Sequence, residues 1–201
     1  MREQTLPDMN PYLASSRYID WETPAVIAQA QQLANNHRSS LDIAKACFEF
    51  VRDDIKHSWD YALNPVTCKA SEVLQHGTGY RYAKSHLLAT LLRANNIPTG
   101  LCYQRLTISD DRLPFCLHGL NALYLDKFGW YRADARGNKD GVTASFSPPV
   151  EKLAYPLTTQ GEADFPEIWA EPLNEVISAL ENKKTYQEVA DNLPDIPRTT
   201  S

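Results

Sequence analysis

The apolar positions of this chain recur first at helical spacing, then in alternation along strands, then at helical spacing again. Thr23-Pro24 puts a capping residue before a proline at the first helical position and predicts a helix over Ala25 to Asn35. Ile43, Cys47, Phe50, Val51 and Asp54 or Ile55 repeat at helical spacing and predict a second, from about Leu41 to Ile55. After a loop through Asn64-Pro65, a short helix over Ala70 to Gln75 should stop at Gly77. The next, Tyr80 to Ala94, carries Leu87, Leu88, Leu91 and Leu92 on adjoining faces and reads as the buried spine. Asn95-Asn96 and Pro98 end it.

The period then changes. Thr99 to Leu106, Leu117 to Leu125 and Trp130 to Asp134 read as strands, with Asp126-Lys127-Phe128-Gly129 as the hairpin turn between the last two. A proline-containing stretch, Ser145 to Pro149, leads to one more expected strand at Lys152 to Tyr155. Helices over Leu173 to Glu181 and Thr185 to Asn192 close the chain, and the tail is expected to fray after Pro194. Segregated helices and strands of this kind predict an α+β fold.

Composition narrows the picture. With 201 residues and 43% hydrophobic content the chain can fill one core, and no linker-like stretch divides it. We read it as one domain, residues 1–201, with a core at about 40–140 and a helical C-terminal extension at about 170–192. A net charge of -5, without a cluster of Lys or Arg, offers no footprint for nucleic acid or an anionic membrane surface. Met1 to Pro7 contains no leader-like apolar run, and no stretch approaches the roughly 20 apolar residues that span a bilayer. A soluble, cytoplasmic protein is the expectation. Cys47, Cys68, Cys102 and Cys116 have no C-x-x-C or metal-finger spacing and are expected to be free thiols.

The chemistry concentrates at Gly77-Thr78-Gly79-Tyr80-Arg81-Tyr82. A glycine-rich turn running into a long apolar helix leaves unpaired backbone N–H groups and the positive end of the helix dipole beside the first side chains. A thiol there would be acidified, and the same N–H groups could receive an oxyanion. Downstream lie His118, in Leu117-His118-Gly119-Leu120-Asn121-Ala122, and Asp134, in Trp130-Tyr131-Arg132-Ala133-Asp134. The chain order is therefore position 81, then His118, then Asp134. Position 81, however, is arginine.

These pieces, with Phe50-Val51-Arg52-Asp53-Asp54-Ile55, Ala70-Ser71-Glu72-Val73-Leu74, Leu91 to Pro98, Cys102 to Leu106 and Asp134 to Lys139, occur in an order and spacing that resembles the bacterial transglutaminase-like domains of the cysteine-protease type. The resemblance runs over most of the chain. It implies a papain-like, transglutaminase-core fold with helices packed on an antiparallel sheet, and a Cys-His-Asp triad acting on a peptide or another amide-containing substrate. By it, Arg81 stands at the nucleophile position, His118 is the base and Asp134 the orienting carboxylate, with both side chains on one sheet face opposite the start of the helix. It implies no metal or organic cofactor, and the oligomeric state stays open.

Arginine cannot be the nucleophile and stays protonated. At a helix start it opposes the dipole by about 0.3 to 1 kcal/mol, so a carboxylate partner is expected, Asp134 or a neighbour. Two readings follow: a cysteine-enzyme domain inactive as written, or a binding module using the Arg81/His118 cleft for a carboxylate-bearing peptide or metabolite. Cys102 and Cys116 are placed on strands, away from a helix N-terminus, so neither is expected to replace the thiol. Asp134 also suits capping the Ala135-Arg136-Gly137 turn. Gln104 and Asn121 suit a polar wall or structural hydrogen bonds equally, and His37, His57, His76 and His86 are read as structural.

Overall fold

The computed structural model describes residues 8–109 and 112–197. Residues 1–7, read above for a leader, and 198–201 of the tail lie outside the described residues.

Helix α1 (Pro24–Ala34) begins at the predicted proline, although the Thr23 hydroxyl makes no capping bond. Helix α2 (Ser40–Asp53) is capped by Ser39, whose hydroxyl accepts from the Asp42 N–H. Capping chemistry, rather than the first apolar residue, sets that boundary. Strand β1 (Lys56–His57) follows. Helix α3 (Ala70–His76) stops at Gly77, which adopts φ +63° and returns its N–H to the Val73 carbonyl. Left-handed backbone of this kind favours glycine. Strand β2 (Thr78–Gly79) then pairs in parallel with β1, Lys56 opposite Thr78 and His57 opposite Gly79.

Helix α4 (Arg81–Ala94) is the spine that the leucine pattern predicts: every residue from Tyr82 to Arg93 is buried. It lies between α1, α2 and α3 on one side and the main sheet on the other. Its buried polar side chains are engaged. Lys84 Nζ donates to the Ile55 carbonyl at 2.5 Å, His86 Nδ1 lies 2.8 Å from the Cys68 carbonyl, and Arg93 donates to the carbonyls of Ala14, Thr99 and Ala170.

The sheet holds β3 (Thr99–Ser109), β4 (Arg112–Leu125), β5 (Gly129–Ala133) and β6 (Ala163–Asp164), in the order β5-β4-β3-β6 with every pairing antiparallel. The hairpin turn after Leu125 forms as expected, with Gly129 at φ +72° and the Phe128 N–H on the Leu125 carbonyl. The strand expected at Lys152 to Tyr155 is absent: Lys152 makes only an isolated bridge to Ser145, and the free edge of β3 is taken by Ala163–Asp164 instead. Helices α5 (Asn174–Glu181) and α6 (Tyr186–Ala190) complete the chain. Beyond them the tail does not fray at Pro194. Its carbonyl accepts from the Leu117 N–H at 2.7 Å, and Asp195 takes both ends of the Arg105 guanidinium at 2.6 and 2.7 Å.

Strand β4 has two distinct faces, as alternation requires. Gly119 and Asn121 face α4: the Asn121 amide donates to the Ser85 carbonyl, and a Cβ on Gly119 would meet Tyr82 Cδ1 at 3.1 Å and Tyr82 Cα at 3.3 Å. The missing side chain at 119 therefore lets β4 approach the first turn of α4. Gly119→Ala is expected to cost about 1 kcal/mol or more by overpacking, read as a lowered urea midpoint; an unchanged midpoint would mean that this contact yields freely.

Candidate active site

Arg81 is the first residue of α4, and Tyr80 before it has extended backbone and no side-chain cap. The earliest N–H groups of the helix thus have no acceptor within the helix; the Lys84 N–H is the first to reach back, to the Tyr80 carbonyl. The β1–β2 pair holds this turn from below, since the Lys56 N–H reaches the Gly77 carbonyl and the Ser58 N–H reaches the Gly79 carbonyl. From the helix start the Arg81 side chain runs along β4. Its Nε donates to the Leu117 carbonyl at 3.1 Å, and Nη2 lies 3.2 Å from both the Tyr82 hydroxyl and Cys116 Sγ. The Tyr82 hydroxyl donates to the same Leu117 carbonyl.

The carboxylate partner expected for Arg81 is not there. Asp134 is engaged elsewhere, and no Asp or Glu among the described residues forms an ion pair with the guanidinium. The charge is instead held by a carbonyl, a phenol and a thiol. Burial pushes the Cys116 thiol pKa up, while Arg81 beside it pulls the other way.

His118 and Asp134, at 1% exposure each, meet at 2.7 Å through Nε2 and Oδ2. Asp134 follows β5 directly, and the register Asn121 opposite Ala133 sets the end of β5 beside the middle of β4. Asp134 Oδ2 also accepts from the Ala154 N–H at 3.0 Å, and Oδ1 from the Arg136 N–H at 3.1 Å. The turn-capping use of Asp134 and its contact with His118 therefore coexist in one carboxyl group. Burial alone would raise its pKa; the His118 charge and hydrogen bond, with the two N–H groups, outweigh this and hold it below the ordinary value. An ionised carboxylate only accepts, so in this hydrogen bond His118 Nε2 is the donor. The Tyr155 ring stands edge-on to the imidazole at 5.1 Å.

Arg81, Cys116, His118 and Tyr155 line a cavity of about 620 Å³ whose wall also includes Lys139 and Glu162. Glu162 is already saturated, accepting from the Thr107 N–H and hydroxyl and from the N–H groups of Thr158 and Thr159. Asp140 also lines this wall, but among the described residues no carboxylate forms an ion pair with Arg81. Gln104 and Asn121 do not line it: Gln104 donates to Asp164, and Asn121 braces β4 on α4. Tyr155 and Lys139 are not marked as lining residues by any periodicity, because each reaches the cavity from an irregular segment. Cys47, Cys68, Cys102 and Cys116 are free and buried. Among the described residues no group of three or more His, Cys, Asp or Glu is placed to hold a metal ion, and no helix is long and apolar enough to cross a membrane.

None of the curated proteins matches this sequence. Among solved structures the fold is similar to a protein of Cytophaga hutchinsonii assigned provisionally as a cysteine protease, at 17% identity and a TM-score of 0.53, over 66% of this chain and 43% of that one. The periplasmic domain of TgpA from Pseudomonas aeruginosa aligns at 17% identity with a TM-score of 0.48, over 67% of this chain and 49% of that one. This chain thus spans less than half the length of either structure. The sequence model of the transglutaminase-like superfamily matches residues 27–135, more than half of the chain, a span that runs from α1 through β5 and takes in Arg81, His118 and Asp134. By fold and by sequence match, this chain belongs to the transglutaminase-like superfamily.

Proposed function

We propose that this chain is a transglutaminase-like domain of the cysteine-protease, acyl-transfer type in which Arg81 stands where the nucleophile belongs, so that no acyl-enzyme forms. The supporting observation is a charged side chain at the first position of α4 on the same cavity as a buried His118–Asp134 pair. With a thiol at position 81 the steps are clear. The thiolate attacks an amide carbonyl, helix N–H groups receive the oxyanion, His118 passes its proton to the leaving amine, and Asp134 keeps the imidazole in the right tautomer. Water or an amine then releases the acyl group. With arginine there, the first bond cannot form.

A second reading is favoured by the missing partner of Arg81. A guanidinium in a cavity wall without a carboxylate of its own is suited to one from a ligand, so the cleft holds a carboxylate-bearing peptide or metabolite. Four free cysteines suit a reducing compartment, and we place the protein in the cytoplasm.

The chain as it stands is expected to release no product from peptide amides and to transfer no amine above background, with or without a thiol-alkylating reagent. Turnover that is abolished by alkylation and lost in Cys116→Ala or Cys102→Ala would overturn the proposal and make a strand thiol the nucleophile.

A further inference from the structure

Two large aromatic side chains stand in solvent next to this cleft. Trp59 is 51% exposed and Tyr61 56%, both on the segment that follows β1. Exposed aromatics on a mobile loop would mean little, but this segment is fastened. Asp60, between the two, pairs with Arg136 at 2.7 Å and with Lys139 at 2.9 Å, tying the segment to the loop that follows Asp134. The Tyr61 N–H returns to the His57 carbonyl, the Tyr186 ring meets Trp59 edge-on at 5.8 Å, and Lys56 Nζ stands 5.3 Å from the centre of the Tyr61 ring. The aromatic pair is therefore pre-positioned, and a ligand that met it would lose little chain entropy in ordering it.

Trp59, Tyr61, Asn138 and Lys139 line an open cleft of about 420 Å³. Lys139 also lines the cavity that holds Arg81 and His118, so the two hollows adjoin at one side chain. One carries the Arg81 cation, the other two exposed aromatic rings. Together, at about 620 and 420 Å³, they are larger than a single amino acid needs and suit a peptide that carries an anionic group and a large apolar side chain.

We propose that Trp59 and Tyr61 form a second subsite, which takes an aromatic side chain of a peptide whose C-terminal carboxylate lies at Arg81. The assignment of the carboxylate rests on the binding reading above; the aromatic subsite is independent of it. Tyr and Trp are suited to such anchoring because they offer large contact area with few torsions to freeze.

The test is a titration of N-acetylated tetrapeptides into the full chain, all-alanine or with one Phe stepped through each position, each as free acid and as C-terminal amide. The acid should bind about tenfold more tightly than the amide, as expected for a charge-assisted pair. One Phe position should improve on alanine by about fivefold. In the doubly substituted protein, Trp59→Ala with Tyr61→Ala, the gain from Phe should vanish while the all-alanine acid binds as before. In Arg81→Gln the preference for acid over amide should vanish while the gain from Phe survives. A gain from Phe that persists without Trp59 and Tyr61, or no gain at any position while acid preference holds, overturns the subsite and leaves the carboxylate reading standing. Equal binding of acid and amide, with a gain from Phe that depends on Trp59 and Tyr61, defeats the carboxylate reading and leaves the subsite. Binding of no peptide at millimolar concentration overturns both.

Discussion

Arg81→Cys is expected to create a thiol that alkylates at least about tenfold faster near neutral pH than an exposed model cysteine. An ordinary thiol is only a few per cent ionised at that pH, whereas one at a helix N-terminus with a basic imidazole at hand is largely thiolate. The background is low. Burial pushes the thiols of Cys47, Cys68 and Cys102 up to about 12, and raises that of Cys116 despite the adjacent guanidinium. Label should therefore map to position 81 alone by peptide mass, and His118→Ala in the same background should return the rate toward the model value. A new thiol that reacts no faster than a free cysteine would mean that the start of α4 and His118 do not form a nucleophile-activating site. The substitution also removes the Arg81 contacts to Leu117, Tyr82 and Cys116. Far-UV and near-UV circular dichroism of the variant would separate a lost site from a disturbed fold.

Asp134→Ala is expected to be the most destabilising single change at the site, at about 3 to 5 kcal/mol, because it strands a buried imidazole and two backbone N–H groups at once. For a chain of this size that corresponds to a melting temperature lower by roughly 6 to 20 °C. Asp134→Asn keeps the shape and isolates the charge. His118 and the two N–H groups hold the folded pKa of Asp134 below its ordinary value, so in the window between the two the unfolded chain binds more protons and stability rises with pH. The contribution is complete above the unfolded value and is lost as pH falls through the folded one. Asp60 and Glu162, the latter held at about 2, have acid-side contributions of the same sign. The readout is therefore the difference between the urea stability curves of the two proteins, from about pH 5 down to pH 2. It should shrink as the solution is acidified. A constant difference across that range would show that the ionisation of Asp134 is not coupled to folding.

What could be read without the structure was whatever is recorded locally. Gly77 marks the end of α3 because a left-handed residue must stand there, and the leucines of α4 repeat at the spacing of a helix buried on nearly every side. The period-two stretches mark β3 to β5, and the Gly77–Gly79 turn, His118 and Asp134 are what single out the candidate site, with Arg81 at the start of its helix. Strands β1, β2 and β6 escape such reading because two residues cannot display a period, and the stretch at Lys152 to Tyr155 looks like a strand but makes only the isolated Lys152–Ser145 bridge, while β6 pairs with β3.

Partnership is decided only by tertiary structure. That Arg81 rests on Leu117, Tyr82 and Cys116 rather than on a carboxylate, that Asp60 ties together segments about the length of a helix-and-sheet unit apart in sequence, and that Pro194 and Asp195 are drawn back onto β4 and β3, are consequences of which surfaces meet. The sequence by itself determines the long periodic elements and which residues are chemically able to act, because backbone preference and periodic burial are short-range properties of the chain. Which charges find partners and which are left facing a cavity depends on how those elements pack, since a side chain's neighbours in a core are set by chain closure over long separations and by the space left between packed faces.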